Sequence, residues 1–201
     1  GHTPFGHAGE RVLNEKMPCG FSHDEQGIRV VEVLEKKGQG LNLTWEVLDG
    51  MANHSIHKMP STMEGQVVRL ADKMAYIHHD TDDAIRGRII REEELPADCC
   101  DILGHNVKER LNRMIRDVIC MSMGQPEIRM TPQVQDAMMR LRQFMFDRVY
   151  IGSMAKMEEA KAERLVGGLV DWFRVHPDSL SQEALSRREQ GDSLDTIICD
   201  Y

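Results

Sequence analysis

Apolar residues recur with a period near 3.6 from one end of this chain to the other, and the alternating stretches that make strands are almost absent. That pattern restricts the chain to an all-α fold, in which each helix must bury one stripe of its surface against another helix. The breaks between stripes carry helix start and stop chemistry. Thr3 followed by Pro4 predicts a first helix from there to about Lys16, stopped by Met17-Pro18-Cys19-Gly20. A second helix is expected from Asp24 to Lys37, with Ile28, Val31 and Leu34 on its apolar side and Gly38-Gln39-Gly40 at its end. Thr44 is placed to cap a short third helix carrying Val47, Leu48 and Met51. Ser61 and Glu64 form a capping-box pattern ahead of the longest helix, Thr62 to about Arg86. Beyond a polar connector at 92–96, helices are expected over 97–103, 107–123, 132–150, 153–175 and 180–200, with Asn106, Thr131 and Ser179 as caps and Gln182 completing a second capping box with Ser179.

Composition narrows the class. With 201 residues, 41% hydrophobic and 29% charged, the chain is long enough for a cored soluble domain, and no apolar run approaches the roughly 20 residues of a membrane span. A net charge of −8 argues against a general nucleic-acid-binding surface; Arg110, Arg113 and Arg116 are spaced for a local basic stripe, but that spacing is more often a solvated helix face. The five cysteines form no CxxC pair, which argues against a disulfide framework and a zinc-thiolate site and points to the cytoplasm. Cys99-Cys100 reads as core, as do Met114, Met121, Met138, Met139 and Met145 among the 14 methionines. The opening residues lack a secretory signal, and the chain begins inside a motif and stops in an apolar helix, so it is expected to be cut at both ends.

Two constellations carry candidate chemistry. His2, His7 and Glu10 lie at the start of the first helix, where free backbone N–H groups favour phosphate; acid–base work on a phosphate ester and a surface His–Glu pair fit about equally well. Asp72, Tyr76 and Asp80, at i, i+4 and i+8, line one stripe of the long helix with Lys73 beside it, while Leu70, Met74, Ile77 and Ile85 form its packing side. A ligand-binding ridge and a solvated stripe are again both open. Asp80-Thr81-Asp82-Asp83 lacks the glycine and terminal glutamate of a calcium loop, and the pair His54 and His57 has no third zinc ligand in view. His23 stands at the start of the second helix, either turned toward the cleft of His7 or simply polar there.

Four ordered blocks go further. Gly1-His2-Thr3-Pro4-Phe5-Gly6-His7-Ala8-Gly9-Glu10, then Phe21-Ser22-His23-Asp24-Glu25-Gln26-Gly27-Ile28-Arg29-Val30-Val31, then Leu41-Asn42-Leu43-Thr44-Trp45-Glu46-Val47-Leu48-Asp49-Gly50, and Glu64-Gly65-Gln66 through Leu70-Ala71-Asp72-Lys73-Met74-Ala75-Tyr76-Ile77-His78-His79-Asp80 resemble the bacterial dGTPase-like HD-domain deoxynucleoside triphosphate triphosphohydrolases. The resemblance implies an HD-domain helical core with additional C-terminal helices: residues 1–90 as part of the phosphohydrolase core, and 91–201 packed on it. It implies hydrolysis of a deoxynucleoside triphosphate to deoxynucleoside and tripolyphosphate, with a divalent ion such as Mg²⁺ or Mn²⁺ held by an H…HD…D set. On that resemblance Asp72 is the closing metal ligand, and His7, oriented by Glu10, is the acid–base group. His2 and His23 contact the phosphate chain, Lys73 neutralises its charge, and Tyr76 and Asp80 contact the sugar. The other three metal ligands are absent from these 201 residues, so weak metal binding and little activity are expected of this chain alone. An HD phosphohydrolase acting on another nucleotide, and a non-catalytic oligomerisation or regulatory module, remain the alternatives. A homo-oligomer with no membrane association is expected; no local feature supports contact with single-stranded DNA.

Overall fold

A computed structural model describes residues 3–55, 58–150 and 155–201. Among them the all-α expectation holds, with no strand, and no helix is long and apolar enough to cross a membrane. The elements are α1 (His7–Lys16), α2 (His23–Arg29), a π-turn (Val30–Leu34), the one-turn α3 (Glu35–Gly38), α4 (Trp45–Ala52), α5 (Met63–Arg86), α6 (Ala97–Leu103), α7 (Val107–Ser122), α8 (Pro132–Met145), α9 (Ala155–Val175), α10 (Gln182–Ser186) and α11 (Leu194–Asp200). They form two compact units: 1–52 with 157–201, and 53–156.

The first unit joins segments far apart in sequence. Val12 and Leu13 of α1 and Met17 just after it bury against Val166 and Val170 of α9 and Ile197 and Ile198 of α11. At Gly167 α9 runs close to α1: a Cβ there would sit 3.0 Å from Lys16 Cε and in ordinary contact, 3.5 Å, with Val12 Cγ1. Charges fasten the same seam: Arg29 Nη2 donates to Asp192 Oδ2 and to Asp200 Oδ2, each at 2.7 Å, and Arg174 Nη2 donates to the Lys16 carbonyl at 2.6 Å. In the second unit α5 packs on α7 and α8, and α6 packs on both of those helices. Its core gathers Met74, Ile77, Leu103, Met114, Met138, Leu141 and Met145.

Several helix limits differ from those expected, each for a local reason. Thr3 does not cap α1. Phe5 and Gly6 adopt left-handed backbone (φ 61 and 56), so the helix begins at His7, and Thr3 Oγ1 instead donates to the Gly6 carbonyl. The second helix changes to π geometry after Arg29 and ends at Leu34, where Glu35 turns extended (ψ 159). Lys36 and Lys37 lie at φ 51 and 58, and the returning chain passes Gly40 so close to Glu32 that a Cβ would sit 2.1 Å from its carbonyl oxygen. The C-terminal helix divides because Ser181 and Ser193, not Ser179, supply caps, with Gly191 at φ 98 between α10 and α11. Asn106 and Thr131 cap α7 and α8 as expected. Met114, Met138 and Met145 are buried; Met139 is turned outward.

At the start of α5 the cap is Thr62, whose hydroxyl accepts from the Gly65 N–H at 3.1 Å, rather than Ser61. Thr62→Ala is therefore expected to lower stability by about 1 kcal/mol in urea unfolding. Ser61→Ala, one residue away, is expected to change it by less than about half of that.

Candidate functional site

In the first unit two helix starts meet. Ser22 caps α2 by accepting from the Glu25 N–H, which makes His23 the first helical residue, with a backbone N–H that no helical carbonyl can satisfy. Glu10, in the first turn of α1, supplies the acceptor: its Oε1 takes the His23 backbone N–H and lies against His23 Nδ1, each at 2.9 Å. On the other side of that ring, Nε2 lies 3.0 Å from Asp24 Oδ1. The His7 ring stands edge-on to His23, with centroids 6.4 Å apart. The structure thus brings His7, Glu10 and His23 together but corrects one relation: the Glu10 carboxylate orients His23, not His7. Burial pushes the Glu10 carboxyl up, yet the His23 backbone and ring, with His7 nearby, outweigh it and hold the group below its ordinary value. The segment before α1 folds back over Gly9 in its first turn, for a Cβ there would fall 2.0 Å from the Pro4 carbonyl oxygen. His2 and His57 lie outside the described residues.

In the second unit α5 has two faces. Met74, Ile77, His78, Thr81 and Ala84 are buried. Along the opposite side run Asp72, exposed, Lys73, half-buried, Tyr76, 38% exposed, and Asp80, half-buried. Lys73 is pushed down to about 8, first by burial and then by the charges of Arg69 and Arg142, with Asp72 pulling the other way. Asp82 and Asp83 are surface partners of Arg86, in keeping with a solvated helix end rather than a calcium loop. Cys99 and Cys100 are buried, and burial raises both thiols.

Spacing alone misplaced Arg110. It is 2% exposed rather than solvated, and its Nε donates to Nδ1 of the fully buried His78 at 3.2 Å. The signal lay on α5, where His78 falls one turn after Met74 and so shares the apolar face; nothing in the stripe of Arg110, Arg113 and Arg116 marks the first as different. Burial, with Arg110 and then His79 adding to it, lowers His78 to about 4.

The chemistry of the donors bears on a divalent ion. Asp72 is a hard oxygen donor on an exposed helix face, with no side-chain hydrogen bond or ion pair among the described residues, and it fits Mg²⁺ or Mn²⁺. Within either unit taken by itself, no three described His, Cys, Asp or Glu side chains gather closely enough to enclose a metal.

Comparison with known proteins adds the following. Residues 128–201 match the family model of the phosphohydrolase-associated domain. The chain is 55% identical over 183 residues to a deoxyguanosinetriphosphate triphosphohydrolase-like protein of Caldanaerobacter subterraneus subsp. tengcongensis, covering 91% of this chain and 54% of that protein. It is 40% identical over 218 residues to a protein of the same name from Desulfatibacillum aliphaticivorans, covering 100% of this chain and 62% of the relative. It is also 31% identical over 265 residues to one from Cereibacter sphaeroides, 70% of whose length is covered. The chain spans little more than half the length of the first of these relatives.

Proposed function

The chain belongs to the deoxyguanosinetriphosphate triphosphohydrolase-like family, and from that premise we propose that the full-length protein is a divalent-metal-dependent hydrolase that splits a deoxynucleoside triphosphate into deoxynucleoside and tripolyphosphate. The observation that carries this reading is the division of α5, which holds Asp72, Lys73, Tyr76 and Asp80 on the side opposite its buried face. A helix anchored by a full apolar stripe is a rigid base for groups that must be held in place for catalysis.

Each residue has a task in this reading. Asp72 supplies one oxygen ligand to the metal ion, which when bound polarises the phosphoryl group and activates water. Lys73 takes up negative charge on the phosphate chain. Tyr76 lays its ring against the sugar, where a ribose 2′-hydroxyl would clash, and Asp80 accepts from the 3′-hydroxyl. His7 carries the proton of the acid–base step, and His23, with Glu10 holding its Nδ1, contacts the phosphate chain. His2 is assigned to the phosphate chain as well. The protein is proposed to act as a homo-oligomer.

A substrate panel on the full-length protein with Mn²⁺ or Mg²⁺ tests the proposal. Tripolyphosphate together with the deoxynucleoside is the expected product pair. Release of monophosphate or diphosphate instead would indicate an HD phosphohydrolase of another kind, and no release from any nucleotide would leave the non-catalytic module. The 201-residue chain alone, holding one of the four implied metal ligands, is expected to release no tripolyphosphate in the same assay.

A further inference from the structure

The corner that follows α2 is strained. Lys36 and Lys37 stand in left-handed backbone (φ 51 and 58), a region that costs energy for a residue with a side chain and that Gly38, next to them at φ 86, enters freely. The π-turn Val30–Leu34 leads into this corner, and irregular backbone of both kinds is concentrated at sites that hold ligands. Lys37 and Gly38 line a cavity of about 220 Å³ together with residues of α10 and α11, all within the first unit.

The charges around this cavity divide into two sets. Arg187 and Asp200 are neutralised inside the fold: Arg187 Nε donates to Asp192 Oδ2 at 2.9 Å, and Asp200 accepts from Arg29 Nε and Nη2 at 2.8 and 2.7 Å, so that two arginines and two aspartates close a network. Lys37 and Glu183 also line the cavity, yet their side chains make no hydrogen bond or ion pair among the described residues, with each other or with any other group. Opposite charges that share a cavity without reaching one another are complementary to a ligand that carries both. Leu34, Ala184 and Ile197 give the same cavity an apolar lining. Its volume lies below the roughly 300 Å³ at which pockets for drug-sized ligands begin, so the ligand that fits it is small.

The geometry points to this cavity as a binding site for a free α-amino acid with an apolar side chain, its carboxylate beside Lys37, its ammonium beside Glu183 and its side chain against Leu34, Ala184 and Ile197. The left-handed turn at Lys37 then has a task, since it brings to the cavity an ammonium group that no acid of the fold has neutralised. The site shares no residue with those assigned to the nucleotide, so it stands or falls independently of the function proposed above.

Calorimetric titration of L-phenylalanine and of L-leucine into the full-length protein tests the site. The comparison ligands are 3-phenylpropionate, which lacks the ammonium of L-phenylalanine, and phenethylamine, which lacks its carboxylate. L-Phenylalanine is expected to bind at least about tenfold more tightly than either, a difference of one charge-assisted contact. Lys37→Gln is expected to weaken L-phenylalanine about tenfold and to leave phenethylamine unchanged. Glu183→Gln is expected to weaken L-phenylalanine by a similar factor and to leave 3-phenylpropionate unchanged. Both side chains are exposed, so neither variant is expected to disturb the fold. Lys36→Gln, adjacent and in the same backbone region but not lining the cavity, is expected to bind like the parent. No binding of L-phenylalanine or of L-leucine, equal affinity for the single-charge analogues, or an equal loss in Lys36→Gln would each overturn the inference.

Discussion

His78→Ala is expected to lower the stability of the second unit by about 3–5 kcal/mol, because it leaves the Nε–H of a buried guanidinium without its acceptor. His78 is 0% exposed, Arg110 is 2% exposed, and the bond between them runs from Arg110 Nε to His78 Nδ1 at 3.2 Å. The other acceptor of Arg110 is the His105 carbonyl, at 3.4 Å, and no carboxylate takes a hydrogen bond from it among the described residues. Removing the histidine therefore costs more than removing both partners. The double variant His78→Leu with Arg110→Met, similar in volume and without polar atoms, is expected to recover most of the loss. Urea unfolding followed by circular dichroism checks the order, and a single-variant loss under about 1 kcal/mol would refute the account.

The same bond sets a pH dependence. A histidine can accept at Nδ1 only while neutral, and burial with Arg110 lowers His78 from 6.5 to about 4. Because the folded value lies below the unfolded one, the unfolded chain binds the proton more readily. The contribution is complete above about pH 6.5 and is lost as the pH falls from there toward 4, a total of about 3 kcal/mol. In Arg110→Met, without the facing cation, the acid-side loss is expected to be smaller.

Asp72→Asn is expected to reduce turnover by the full-length protein at least about 1000-fold, with the fold unchanged. The side chain is exposed, so the amide costs little stability, but an exposed amide is a much weaker ligand for a hard cation than a carboxylate. Asp72 is also the charge that raises the Lys73 ammonium against burial, Arg69 and Arg142, so its neutralisation moves Lys73 further below about 8. Tripolyphosphate release measured by ion chromatography reads the first effect. Lys73 titration, followed by the pH dependence of reductive methylation, reads the second. Turnover within tenfold of the parent would remove Asp72 from the metal.

The helical class, the span of α5 and its packing side, and the caps Asn106 and Thr131 were all legible from the sequence. These follow from rules that act within a turn or two of one helix: the 3.6 period, and a side-chain oxygen meeting an orphan N–H. The ridge of Asp72, Tyr76 and Asp80 was legible for the same reason, since one helix determines its own faces.

Partnerships across elements were not. Glu10 turns to His23 because the start of α2 offers a free N–H there, and no spacing rule says which helix will arrive. The start of α1 moved from Thr3 to His7 because the chain folds back over Gly9. Arg110 became a core residue because α7 packs its side toward His78, although its own stripe resembles a solvated face. The union of 1–52 with 157–201 likewise rests on pairs such as Arg29 with Asp200, 171 residues apart, whose attraction depends on distance in space. Local periodicity decided which side of each helix is apolar; tertiary packing decided which charges lost their water, and with that which groups had their proton affinities altered.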